Sequence, residues 1–420
     1  MCTMKKQTPI PSILYSSGAQ MTALASAHFM ADMMGGLLPG FLPVALKYFH
    51  LDLGMGVFIL TSMSIGCNMM QIPVAFLDRS TRNPRLISIG LMMAGLILLL
   101  GTLPASTPVP ILCLIMLTVG AGVAIVHPAG LRGVQNIGRI APTVSTPTFM
   151  TGGFLGSCIG PWLSATLVGG YGLKGLFWLI PLIVFLLIAL RISHVRLALD
   201  RPASKDAKST EDLSAPWSFR SLLVIAFFMN TGTVTIQMLL PTVLNELNFP
   251  LSFGGFSAMM FGIGSASGSI AIGFLVKKYK PQWFIFTGLL LGVPAVAIYF
   301  LTLKNVAACL LILLSGLLAS SGYPLLVALS RNAPNGPGLS SRMALIVGGT
   351  WGFAGVFFLG IGQFGARFGV GYAMHASWIF YLLALIAAVM TLRRHEKGKR
   401  ADMAQDGGGN GKGHPVPCKQ

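Results

Sequence analysis

The chain has 420 residues, 54% of them hydrophobic and only 10% charged, where a soluble domain carries about 25% charge. With a mean hydropathy of +0.75, that composition excludes a soluble globular protein, and no window shows the alternating ten-residue pattern of an outer-membrane barrel. The six cysteines form no C-x-x-C pair, so no disulfide framework, cofactor or metal site is expected, and the net charge of +18 has to be explained by where the basic residues fall.

Apolar runs long enough to cross a bilayer recur along almost the whole chain. At the N-terminus Lys5 and Lys6 precede an apolar run and Ala25-Ser26-Ala27. Ser12, Ser16, Ser17 and Gln20 interrupt that run, so an uncleaved first helix is expected rather than a signal peptide. Reading runs between polar breaks predicts six spans at 20–46, 54–77, 85–103, 108–131, 142–169 and 174–195. Six more follow at 220–245, 252–276, 282–302, 305–329, 341–366 and 371–392. The expected class is therefore an all-α integral membrane protein of twelve transmembrane helices in two six-helix, pseudo-symmetric halves. Residues 1–195 form the first half, 196–219 a charged flexible linker and 220–393 the second half. A basic, low-complexity tail at 394–420 is expected to be disordered, with RRHEKGKR able to touch anionic head groups.

The first span carries Asp32, the one residue among 11 acidic residues that lies deep inside such a stretch. A carboxylate in hydrocarbon needs a protein interior, a partner or a proton. His28, four residues earlier, shares its helix face, which points to a proton-titrating pair. Gly35, Gly36, Pro39, Gly40 and Pro43 then bend the helix where it can line a cavity. After the second span, Asp78, Arg79 and Arg82 make a charged turn able to latch one conformation. The fourth span ends on His127-Pro128 and Arg132. His127 suits a structural or substrate contact. Arg132 is open to two readings, a fixed anion partner or an ordinary loop cation.

In the fifth span Gly152-Gly153-x-x-Gly156-x-x-x-Gly160-Pro161 places small residues on one stripe, so a neighbouring helix can approach closely and hinge there. The seventh span offers Asn230 and Gln237 on one face, with Thr233 nearby, and the tenth offers Ser320, Ser321 and Tyr323. These groups either line a pore or hydrogen-bond between helices.

Assigning the termini, the even-to-odd loops and the linker to one side puts 25 of the 29 Lys and Arg there. Only Lys47, Lys174, Lys304 and Arg367 fall on the other. This asymmetry places both termini in the cytoplasm. It also accounts for the basic charge as topology, so no nucleic-acid partner is expected.

Twelve spans, a long central loop and the D-R-x-x-R turn resemble the major facilitator superfamily. The loop motif G-x-x-x-D-R-x-G-R is matched in part, with Val74 and Thr81 at its glycine positions. The Gly156–Pro161 segment resembles the antiporter motif G-x-x-x-G-P. SAHFMADMM, VHPAGLR and TFMTGGFLGSCIGPWLSA resemble the fosmidomycin-resistance proteins more closely, with a weaker echo in LLASSGYPLLVALSRNAPN. That family usually has an acid after His-Pro. Here the residue is Ala129, which throws coupling onto Asp32.

The resemblance implies a proton-coupled secondary transporter of a small anionic molecule, driven by alternating access, with spans 1, 4, 7 and 10 lining the cavity. Asp32 and His28 would carry the proton. His127, Arg132, Asn230, Gln237 and Tyr323 would meet substrate, and Asp78, Arg79, Arg82, Gly156, Gly160 and Pro161 would gate. Efflux by antiport from a monomer in the bacterial inner membrane is expected. The alternatives are uptake of an anionic metabolite or siderophore, and a membrane enzyme using His28 and Asp32. No G-x-x-x-x-G-K-[ST] loop is present, which disfavours a nucleotide-driven pump.

Overall fold

A computed structural model describes residues 16–71, 73, 84–137, 140, 142–197, 217–276, 278–303 and 305–408. Every regular element among them is helical. Nine helical runs are long and apolar enough to cross a membrane, two shorter apolar helices join them, and one of the nine, Val144–Ile192, contains two expected spans. All twelve expected segments are thus helical, and the chain is a multi-pass membrane protein.

In chain order the helices are α1 (Ser17–Tyr48), α2 (Leu53–Met69), α3 (Arg85–Gly101), α4 (Val109–Gln135), α5 (Pro142–Tyr171) and α6 (172–192). The second set is α7 (Phe219–Glu246), α8 (Leu251–Leu275), α9 (Pro281–Leu301), α10 (Ala308–Ser330), α11 (339–368) and α12 (Val370–Gly408). Local chemistry sets several ends. Ser16 Oγ accepts from the Ala19 amide, Asp52 Oδ1 from Met55 and Ser218 Oγ from Ser221, each capping a first turn. Gly172, at φ +62°, turns α5 into α6 in a conformation glycine adopts freely. The last helix runs on to Gly408 instead of ending at 393. The stretch after Arg393 is rich in Arg, Glu, Lys, Ala, Met and Gln, all good helix formers, and the helix stops at a glycine run.

Large apolar side chains cover the outside, with Leu301 82% and Phe185 71% exposed. Such a surface fits hydrocarbon and not water. Tyr171 and Trp178 at the α5–α6 turn, and Tyr279 and Trp283 at the α8–α9 turn, form aromatic belts at opposite ends.

The halves meet where α5 packs on α8 and α2 on α11. Shifting helix numbers by six maps these two pairs onto each other, as a two-fold related duplication requires. α1 also packs on α7, while α4 makes no comparable contact with α10 among the described residues. Accordingly, α7 is buried on nearly all sides from Met229 to Leu244 but only along a stripe from Phe219 to Ala226. The halves therefore pack more tightly around α7 near its Glu246 end than near its Phe219 end.

Two irregularities sit in the second half. α10 widens into a π turn at Gly316–Ser320 and α11 at Ala344–Gly349. From the first turn of α11, Arg342 gathers the loop that follows α10, its guanidinium donating to the carbonyls of Ser330, Arg331, Ala333, Gly336 and Pro337 at 2.6–3.3 Å.

Candidate functional site

The site forms where α1, α4 and α5 meet. Asp32 lies between two imidazoles: His28 Nε2 is 3.4 Å from Oδ2, and His127 Nε2 is 3.3 Å from Oδ1. The first contact follows from the i, i+4 spacing on α1. The second spans 95 positions of sequence and requires α4 to cross α1 at this depth. His28 is 1% exposed, whereas the side chains of Asp32 and His127 are 19% and 24% exposed. The carboxylate and one imidazole therefore remain partly accessible while the other imidazole is sealed behind them.

The other face of each ring is held by backbone. His28 Nδ1 lies 2.8 Å from the Phe149 carbonyl on α5, and His127 Nδ1 lies 2.9 Å from the Val123 carbonyl one turn back on α4. A carbonyl oxygen only accepts, so Nδ1 is the protonated nitrogen in both rings. That assignment turns both Nε2 atoms toward Asp32, each carrying either a lone pair or an added proton. The His28 ring stacks on Phe149 at 4.2 Å and meets His127 edge-on at 4.7 Å, so packing fixes its plane.

α5 supplies the remaining wall. A Cβ at Gly153 would collide with His28 Nε2 and Asp32 Oδ2, so glycine there makes the space the pair occupies. The same stripe seats α5 on α1: side chains at Gly152, Gly156 and Gly160 would strike the carbonyls of Ala25, Phe29 and Met33. At Pro161 the contact becomes two-sided. Its carbonyl faces Gly40 of α1 and also Gly255 of α8 in the opposite half. Gly156 and Gly160 thus lie in the seam between α1 and α5, and Pro161 where that seam meets α8.

The other residues expected to act are distributed as follows. Arg132 is half-buried in the last turn of α4 and has an interaction partner. Asn230 is buried and donates to Thr350 Oγ1 at 2.8 Å, and Thr350 donates to the Ile346 carbonyl at 2.6 Å. Tyr323 OH donates to that same carbonyl at 3.1 Å. Asn230 and Tyr323 therefore join α7, α10 and α11 around the second π turn. Gln237 is half-buried on α7. Thr233 shares hydrogen bonds with Tyr381 OH at 2.8 Å and Ser320 Oγ at 3.1 Å, a second buried network beside the first π turn. Asp78, Arg79 and Arg82 lie outside the described residues.

Phe149 and Gly153 were missed as site residues. The Phe149 contribution is a backbone carbonyl, which leaves no side-chain signature. Gly153 was legible only as part of a packing stripe. The meeting of His28 with His127 had one usable signal, their comparable depth from the helix ends at Ser16 and Asn136.

His28, Asp32 and His127 could also hold a metal ion, since one ligand atom from each lies within 4.8 Å of the others. Cysteine spacing offered no metal site; the fold assembles this donor set from two helices distant in sequence.

No curated protein matches the chain in sequence. Solved structures do. A bacterial homolog of the human lysosomal transporter Spinster, in an inward-facing and occupied conformation, aligns with TM-score 0.67 at 15% identity, covering 89% of this chain and 96% of that one. Its inward-facing, unoccupied form gives 0.70 at 13% identity, covering 92% and 99%. The nucleoside transporter NupG gives 0.64 at 12% identity, covering 89% and 98%. At these identities the likeness speaks for the fold. The profile of the Major Facilitator Superfamily matches residues 24–335, and with the twelve-helix architecture this establishes that the chain belongs to that superfamily and is a secondary transporter of the alternating-access type rather than an enzyme.

Proposed function

We propose that the chain couples the movement of a small anionic molecule to protons, with Asp32 as the coupling residue and His28 and His127 as its partners. The observation that carries this is the arrangement of one partly exposed carboxylate between two Nε2 atoms whose rings are fixed by backbone carbonyls. With neutral rings the triad has one negative charge and three acceptors turned on one another. One proton shared between Asp32 and an imidazole relieves that repulsion. A second leaves the triad positive. Each step changes the charge of a poorly solvated site by one unit, which is what makes a conformational equilibrium sensitive to proton binding.

The remaining assignments follow the same reading. Arg132 offers a fixed positive charge at the mouth of the cavity. Asn230, Gln237 and Tyr323 belong to the opposing wall. Asp78, Arg79 and Arg82 latch the loop after α2, while Gly156, Gly160 and Pro161 provide the surface on which the halves rock. The protein acts as a monomer in the bacterial inner membrane, with both termini cytoplasmic. The more loosely packed Phe219 end of α7 then faces the cytoplasm. The resemblance to fosmidomycin-resistance proteins favours export by antiport.

One observation favours a second direction. His127, the expected anion contact, belongs to the triad itself. An anion bound beside it makes protonation of the triad easier, so anion and proton would bind together. Co-binding is the logic of symport, and an inward proton gradient would then drive uptake.

A dye-reported proton flux in proteoliposomes separates the two. Vesicles loaded with inorganic phosphate, a simple phosphonate or fosmidomycin are diluted without a pH gradient. Downhill anion exit acidifies the lumen by antiport and alkalinises it by symport. Asp32→Asn should fold and insert yet move no protons. Undiminished proton movement in that variant would sink the assignment of Asp32.

A further inference from the structure

The geometry points to the triad as a binding site for a first-row divalent metal ion of the Zn²⁺ type, held by His28 Nε2, His127 Nε2 and the Asp32 carboxylate. Three features converge. The donor set is two imidazoles and one carboxylate, which suits zinc, cobalt and nickel rather than magnesium or calcium. Their spacing is compatible: ligand atoms about 2.1 Å from a tetrahedral ion stand about 3.4 Å apart, His28 Nε2 lies 3.4 Å from Oδ2 and His127 Nε2 3.3 Å from Oδ1, and one donor atom from each of the three residues lies within 4.8 Å of the others, so a small inward shift of the rings closes the set on an ion. Lastly, His28 Nε2 is buried without a hydrogen-bond partner, though its ring is 1% exposed and aimed at the carboxylate. An unsatisfied nitrogen in that position is costly unless something binds it.

The surroundings have the form of a metal site's outer shell. Each imidazole donates its other nitrogen to a backbone carbonyl, Phe149 O at 2.8 Å and Val123 O at 2.9 Å. This fixes the tautomer and points the free lone pair inward. Gly153 leaves open the volume beside His28 Nε2 and Asp32 Oδ2 that any side chain would fill. Asp32 and His127 remain partly exposed, so the ion has an entry path and would keep open coordination positions on that side. The bound triad carries one net positive charge, and an anionic oxygen donor can complete the coordination. The ion and the coupling protons compete for the same lone pairs. The metal site needs only the geometry of the three ligands and stands whether or not protons drive the cycle.

The test uses the full-length protein with any affinity tag removed, titrated with Co²⁺ alone and followed by visible d–d absorption. Wild type should develop the intense bands of four- or five-coordinate cobalt at one equivalent, and Zn²⁺ alone should bleach them. His127→Gln and Asp32→Asn should each weaken that binding about 100-fold, the upper end of what loss of an outer-shell partner causes. Metal-free unfolding temperatures establish that each variant is folded. His28→Gln serves as a third variant, should either of the others fail to fold. Weak six-coordinate spectra in wild type, or the same bands in wild type and every folded ligand variant, would overturn the site. A protein that binds Co²⁺ through the triad but moves no protons keeps the metal site and loses the coupling assignment. Proton flux without the cobalt signal has the opposite consequence.

Discussion

Gly153→Ala tests the site through a residue with no chemistry of its own. The new methyl would collide with His28 Nε2 and Asp32 Oδ2. The ring cannot easily retreat, because Phe149 stacks on it at 4.2 Å and holds its Nδ1 at 2.8 Å. Asp32, 19% exposed, is the freer partner and should swing away from His28. Overpacking of this kind costs about 1–3 kcal/mol, and replacing a mid-helix glycine by alanine returns about 0.5–1 kcal/mol. The net loss of stability is then about 0–2.5 kcal/mol, enough to lower the unfolding temperature slightly and too little to unfold the protein. Transport should suffer more, since the carboxylate leaves one of its two partners. Gly170→Ala is the control, because a Cβ there meets nothing within 4 Å; it should be neutral or slightly stabilising with unchanged flux. The assay pairs thermal unfolding of purified protein with pH-gradient-driven flux in proteoliposomes. If Gly153→Ala matches Gly170→Ala in both, α5 does not wall the triad as described and the reasoning fails.

Further expectations concern the packing around the site. Gly156→Ala would place its Cβ on the Phe29 carbonyl, a backbone atom that cannot rotate away, so about 1–3 kcal/mol should be lost; a wild-type unfolding temperature would contradict the close α1–α5 contact. Tyr381→Phe removes the hydroxyl shared with Thr233 at 2.8 Å and should cost about 0.6–1.5 kcal/mol, with substrate affinity unchanged in equilibrium binding. Arg342→Ala leaves five loop carbonyls without their donor and should speed limited proteolysis between residues 331 and 338; equal cleavage rates would show that the guanidinium does not order the loop.

The helix count was legible because each span must satisfy its backbone internally and face lipid, so hydropathy alone marks it. Where the helix departs from regular geometry, hydropathy says nothing. The 3₁₀ turn at Gly95–Gly101 and the π turns at Gly316–Ser320 and Ala344–Gly349 arise from packing and from side chains that capture backbone carbonyls. Asn230 and Tyr323 could line a pore or bridge helices, bridging being the commoner role of such groups; both hydrogen-bond across helices around Ile346 and Thr350. The i, i+4 pair on α1 was readable from spacing, as a helix dictates. That His127 completes it depends on how α4 crosses α1, which no local pattern encodes. The membrane span of α12 was legible at 371–392 against Val370–Arg394; its helical continuation to Gly408 was not, because charge and low complexity mask the helix propensity of the residues just after 393.

A ligand shifts a conformational equilibrium only if it binds the two states with different free energy. The seam at Pro161 bears on that condition. α5 contributes Gly153 and the Phe149 carbonyl to the triad, and two turns onward it presents the Pro161 carbonyl to Gly255 of α8. If the halves turn about this seam, the helix that forms the back of the pocket is also the one whose contacts with the other half are remade. The exposure of the pocket to either side of the membrane would then differ between the two orientations. Occupancy by any cation would be weighted toward one of them without a separate relay of residues, because the receptor for the ion and the bearing of the rotation lie on one helix.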